Sequence, residues 1–243
     1  MPAPDKPAAT RRFYEAAGSA PTEGGFALAL DGRPARTPGR SALVLPTEAL
    51  AMAVAAEWNA QVETIRPDTM PLTRLANTAI DGVAPRLAEV RDEVVRYAGS
   101  DLVFYRAGSP DSLVSLQAAA WDPVLEWARE ALAARFILSE GVTWVAQPET
   151  SLARIRAAVE AEESPFRVAA LSVATTLTGS ALLSLMMARA AIAEEAAWSA
   201  AHVDEFHQES LWGSDAEALS RRENRRRDFA AAATMLSLVP SEV

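Results

Sequence analysis

The sequence predicts an α+β protein, with a small β-rich amino-terminal domain over residues 1–107 and a mainly α-helical carboxy-terminal domain over 108–243. Three observations carry this. Short alternating apolar runs broken by Gly, Pro and Asp-Gly occupy the chain as far as Pro46. From Thr47 the apolar spacing becomes helical. After Gly108 almost every segment repeats at helical spacing between Pro and Gly stops.

Taken in order, "RRFYEAAG" and "GGFALALDGRPARTP" read as a hairpin in which Phe26, Leu28 and Leu30 alternate and Asp31-Gly32 makes a tight turn. "SALVLPT" supplies a third short strand. Thr47 then caps a helix bearing Leu50, Val54, Glu57, Trp58 and Gln61 on one stripe. "IRPDTMPLT" is an extended connector, because Pro67 and Pro71 restrict the residues before them. Thr73 is expected to cap a short helix ending at Gly82, and "PRLAEVRDEVVRYAG" gives the next helix. "DLVFYR" is expected to return as a strand to the first sheet. Beyond Gly108, "DSLVSLQAAAW" runs to Asp122-Pro123, where proline kinks the helix or opens a new one. "ETSLARIRAAVEAEE" is amphipathic. Residues 168–188 carry no charge and match a membrane span in length. Their many Ser, Thr and Ala residues fit a buried helix pair better, split where Gly179 ends one helix and Ser180 caps the next. A last helix runs from Asp215 to about Leu238.

Composition removes whole classes of chemistry. With no cysteine there is no disulfide, thiol nucleophile or thiolate metal site. Lys6 is the sole lysine, so a phosphate-gripping P-loop and a Schiff base are excluded. Two histidines, His202 and His207, cannot make a three-histidine metal site. No cofactor and no metal are expected. A net charge of −9 argues against nucleic acid, and no apolar leader marks a secretory signal.

The residues that invite a functional reading lie in "HVDEFHQESLWG". Trp198, Glu205 and Trp212 stand seven apart and share a stripe if one helix holds them. Glu205 is then a catalytic acid with His202 or His207, a structural carboxylate bonded to His202, Gln208 or a neighbouring helix, or the centre of a binding hot spot. The residues alone leave these open. Trp58 is read as packing against the sheet or as a surface anchor for a partner. "RRENRRR", residues 221–227, reads as a solvated face balanced by neighbouring acids.

A resemblance adds to this reading. "RRFYEAA", "LDGRPARTP", "AAEWNAQ", "MPLTRLANTAIDG", "DLVFYR", "WDPVLEW", "TGSALLSLMMA" and "VDEFHQESLWG" occur in an order that resembles the assembly chaperones of F-type ATP synthase that attend the α subunit. The likeness spans about Arg12 to Leu236. It implies a binding protein and not an enzyme: an ATP-independent chaperone that holds unassembled α subunit until β arrives. It also implies a β-containing amino-terminal and a helical carboxy-terminal domain. The location would be the bacterial cytoplasm or, in a eukaryote, the mitochondrial matrix, without membrane insertion. Within the family the glutamate of a DE-x-x-Q stretch is tied to function. Its match is Glu205, with Asp204, Gln208, Trp212 and Gly213 completing the motif. Trp58 matches the tryptophan of an E-W-[DN] stretch, where Asn59 replaces the commoner aspartate. The client-binding residues so implied are Glu205, Asp204, Gln208, Trp212 and Trp58.

Overall fold

A computed structural model describes residues 10–213 and 215–241; Lys6 lies outside them. The chain separates into two compact units, one up to Asp81 and one from Gly82 onward.

The first unit is built on a twisted antiparallel sheet. β1 (Ala17–Thr22) pairs with β2 (Gly25–Leu30), and β2 pairs with both β3 (Arg33–Pro34) and β4 (Val44–Leu45). Asp31 and Gly32 join β2 to β3 with φ of 47° and 77°, the positive pair that a two-residue hairpin turn demands. The expected first strand is displaced, because β1 starts only at Ala17. The preceding Arg12 and Tyr14 spend their side chains on Gln61, Glu15 and Trp58 carbonyls instead. Nor does β2 alternate cleanly: Ala27 to Leu30 are all buried, as befits a central strand covered on both faces. α1 (Glu48–Asn59) packs across β1 and β2, with Leu50 and Val54 fully buried against Leu28 and Leu45 of the core. Thr47 caps it, accepting from the Leu50 amide. Next come a 3-10 turn, Pro67–Thr69, and α2 (Pro71–Thr78), which winds into a π turn, Ala79–Val83. Thr73 lies inside α2 and is not its cap. Glu57 of α1 does that work by accepting from the Leu72 and Thr73 amides at 2.8 and 2.7 Å, a tertiary cap that local sequence cannot reveal.

The second unit is helical: α3 (Leu87–Tyr97), α4 (Asp111–Ala131), α5 (Glu149–Glu160), α6 (Pro165–Thr178), α7 (Ala181–Ala188), α8 (Glu194–Ala201), α9 (Val203–Trp212) and α10 (Ala216–Leu238). The expected boundary at residue 107 falls inside this unit. "DLVFYR" does not return to the first sheet. It forms a 3-10 turn, Leu102–Phe104, and then β5 (Tyr105–Arg106), which pairs in parallel with β6 (Ser139–Glu140). Val103 and Phe104 are buried in the helical core and Phe104 stacks on Phe136 at 4.7 Å. α4 continues through Pro123, which sits in mid-helix.

The uncharged stretch divides at Gly179, whose φ of 68° ends α6. Ser180 then caps α7 by accepting from the Leu183 amide. No helix among the described residues is long and apolar enough to cross a membrane. Arg167 and Glu162 form a buried ion pair at the start of α6. The same guanidinium donates to the carbonyls of Leu236, Val239 and Ala188, the closing turns of α10 and α7, so all five of its N–H groups are used.

Candidate functional site

Most of the distinctive strings resolve into internal struts. Asp31 accepts from the Ala16 and Glu15 amides, which hold its carboxyl below the usual range. Asp81 accepts from the Thr37 hydroxyl and the Gly39 amide, fixing the loop after β3, and its carboxyl is likewise lowered. Burial pushes Glu57 up, opposed by its bonds to Thr73 and Leu72. Asn59 clasps Ala17 of β1 twice, accepting from its N–H and donating to its C=O, both at 2.8 Å. Gln61 is buried and bonds Glu57, Thr69 and Arg66. Asp101 is fully buried and accepts from the Leu182 and Val103 amides; burial raises it to about 6. Trp121 donates from its indole to the Ala200 carbonyl at 2.7 Å. These groups are consumed by the fold.

"VDEFHQESLWG" behaves differently. α8 and α9 are separate helices that meet at His202. Trp198 therefore belongs to α8, is 4% exposed, and stacks on His202 and Phe229; it does not share a face with Glu205. The inner side of α9 is fastened to α4. Gln117 donates to Asp204 at 2.7 Å while accepting from the Ala107 amide, and Ser112 bonds the His207 ring at 3.0 Å. The opposite side faces α10, where Glu209 holds Arg222 through two hydrogen bonds of 2.7 and 2.9 Å, and Arg222 lies over Phe206.

Between these fastenings an open groove of about 480 Å³ runs along α9 and α10. Glu205, Gln208 and Trp212 line it, at the i, i+3, i+7 spacing that aligns side chains on a helix. Trp212 is 79% and Leu211 58% exposed. Glu205 is exposed and makes no hydrogen bond or ion pair among the described residues. The expected bond to His202 is not formed: that ring bonds the Trp198 carbonyl, and burial lowers its pKa. Among the described residues neither histidine hydrogen-bonds Glu205, the His202 ring bonding the Trp198 carbonyl and the His207 ring Ser112.

The fold brings Glu205, Gln208 and Trp212 together. It sets Asp204 on the inner side of α9, as a strut against α4. Trp58 belongs to the first unit, half-buried beside Tyr14 at 5.5 Å. The wall supplied by α10 was not foreseen. The "RRENRRR" run is balanced as expected, four arginines with acids and Arg225 on the Leu177 carbonyl, but Arg222 and Arg226 are largely buried against Phe206, Trp198 and Phe229 and are not part of a solvated face.

Comparison with known proteins gives this arrangement a family. The family model described as "ATP12 chaperone protein" matches residues 11–129. Among solved structures, Atp12 from Paracoccus denitrificans is 40% identical, with a TM-score of 0.88, covering 95% of this chain and 99% of its own. This chain belongs to the ATP12 chaperone family. A second match is the Atu1473 protein from Agrobacterium tumefaciens, described as a chaperone, 44% identical at a TM-score of 0.91, with 95% of this chain and 86% of that one covered. A mutant of the Paracoccus Atp12 protein, carrying lysine in place of an aspartate, matches at 0.87 and 40% identity over 94% and 97%. The α9–α10 groove lies beyond residue 129, outside the span that the ATP12 model matches, but within a chain that the solved Atp12 structure covers almost entirely.

Proposed function

We propose that this ATP12-family chaperone binds the unassembled α subunit of F-type ATP synthase without consuming nucleotide, and thereby promotes assembly of the synthase head. Glu205, Gln208 and Trp212 are its client contacts, Asp204 positions them by tying α9 to α4, and Trp58 is an aromatic anchor in the first unit. One observation carries the assignment of the site. The family-like strings spend their polar groups internally, whereas the outer stripe of α9 presents an unpaired carboxylate beside exposed Trp212 and Leu211. Aromatic side chains around a polar centre on a braced helix are the composition of an interface core. Release needs no ATP, only that the β subunit bind the same client surface more tightly. The bacterial cytoplasm, or the mitochondrial matrix in a eukaryote, is where such a client is found.

The test is suppression of aggregation of isolated α subunit. The protein is expected to protect at near-equal stoichiometry with no effect of added ATP, and Glu205→Lys to lose protection while melting normally. Protection that requires ATP hydrolysis, or no protection by the unaltered protein, overturns the reading.

A further inference from the structure

We propose that a cleft in the first unit, beside Trp58, is a recognition site for a short acidic peptide segment that carries a carboxylate next to an apolar side chain. The cleft holds about 530 Å³. Phe13, Tyr14 and Trp58 form one aromatic wall, with successive ring centroids 5.5 Å apart. Phe13 is 68% exposed, a large apolar surface left uncovered at the cleft.

The Trp58 indole N–H is shielded from solvent and has no acceptor among the described residues. The Trp58 ring itself lines the cleft, so its indole resonance reports an occupant stacked on the aromatic wall. The charges of the lining say what kind of occupant fits. They are unbalanced. Arg33 lines the cleft with no ion-pair partner among the described residues, and Arg36 is held only through the Arg40 carbonyl at 2.8 Å. The one acid in the lining, Asp31, accepts from the Glu15 and Ala16 amides, and its charge also faces Arg12 and Arg33. Two guanidiniums against one carboxylate leave the lining net positive, on a chain of net charge −9, a local field opposite in sign to the whole. Such a field selects acidic groups, which guanidinium planes grip through paired hydrogen bonds.

A peptide uses both features at once: its carboxylate on Arg33 and Arg36, and its apolar side chain on the wall of Phe13, Tyr14 and the Trp58 ring. A simple inorganic anion uses only the arginines. The site takes up the Trp58 anchor of the proposed function, but a synthetic peptide tests it without any client, so its failure and the failure of that reading are distinguishable.

The experiment is a titration of the full-length ¹⁵N-labelled protein with a blocked peptide of sequence Gly-Asp-Leu-Phe-Glu-Gly. The Trp58 indole resonance is identified by its loss in Trp58→Phe. The acidic peptide is expected to move that resonance, and its Asn/Gln analogue to bind at least about tenfold more weakly. Arg33→Ala combined with Arg36→Ala should weaken the acidic peptide by a similar factor, whereas Glu205→Lys should leave it unchanged. Should the double variant misfold, Arg33→Gln at its exposed position gives the same comparison. The proposal is overturned if the acidic peptide leaves the indole resonance still at millimolar concentration, if the amide analogue binds equally well, or if inorganic phosphate alone reproduces the response.

Discussion

Replacing Arg167 with methionine removes the cation that pairs with the Glu162 carboxylate in a buried cluster at the junction of α6, α7 and α10. The magnitude follows from what is stranded. Glu162 is 5% exposed and would keep a buried charge without its partner. The carbonyls of Leu236, Val239 and Ala188 would lose their donor at the same time. Breaking one side of a buried ion pair costs about 3–5 kcal/mol. The stranded carbonyls add to this, though not additively, since they share one guanidinium. In a unit of this size each kcal/mol shifts the melting temperature by roughly 2–4 °C, so a fall on the order of 10 °C is expected. The assay is denaturant and thermal unfolding of the full chain, with a second variant that joins Arg167→Met to Glu162→Leu. The double variant should recover part of the loss, because it no longer buries a lone carboxylate. A single variant that loses less than about 1 kcal/mol, or a double variant that is worse than the single one by the full cost of Glu162→Leu alone, would refute the reasoning.

Asp101 makes stability depend on pH in the direction opposite to an ordinary paired carboxylate. Its folded-state pKa lies at about 6, above the ordinary 3.8, because it is buried. The stability it adds is therefore fully present below the unfolded pKa and is lost as pH rises through about 6. Relative to Asp101→Asn, the unaltered protein should gain stability on going from pH 7 to pH 4, which chemical denaturation at several pH values measures; a gap that stays constant contradicts this. Asn59→Asp keeps the acceptor for the Ala17 N–H but loses the donor to its C=O. A loss of about 0.5–1.5 kcal/mol is expected, followed by urea unfolding, and an unchanged midpoint would remove the clasp from the account of β1.

How much was legible in the sequence depended on how local each cause is. The Asp31-Gly32 turn, the Thr47 and Ser180 caps, the Gly179 stop and the Asp215 start of α10 all act within a few residues of themselves, and each stands where its chemistry placed it. The family resemblance likewise led to the ATP12 match. What escaped was long-range. Glu57 caps α2 from another helix, and "DLVFYR" joins β6 because Val103 and Phe104 are claimed by the helical core. The stripe through Trp198, Glu205 and Trp212 assumed one continuous helix, and the break at His202 separates its first member. A signal for Arg167 was present: a lone charge at the edge of an otherwise uncharged run, where only a dedicated set of partners makes burial tolerable.

The most direct measurement of the central claim is calorimetric titration of isolated α subunit into the unaltered protein, Glu205→Lys and Trp212→Ala, alongside the melting temperature of each. Both side chains are exposed, so the melting temperatures should agree while each variant binds at least about tenfold more weakly. Equal affinity across all three would show that the outer stripe of α9 does not hold the client.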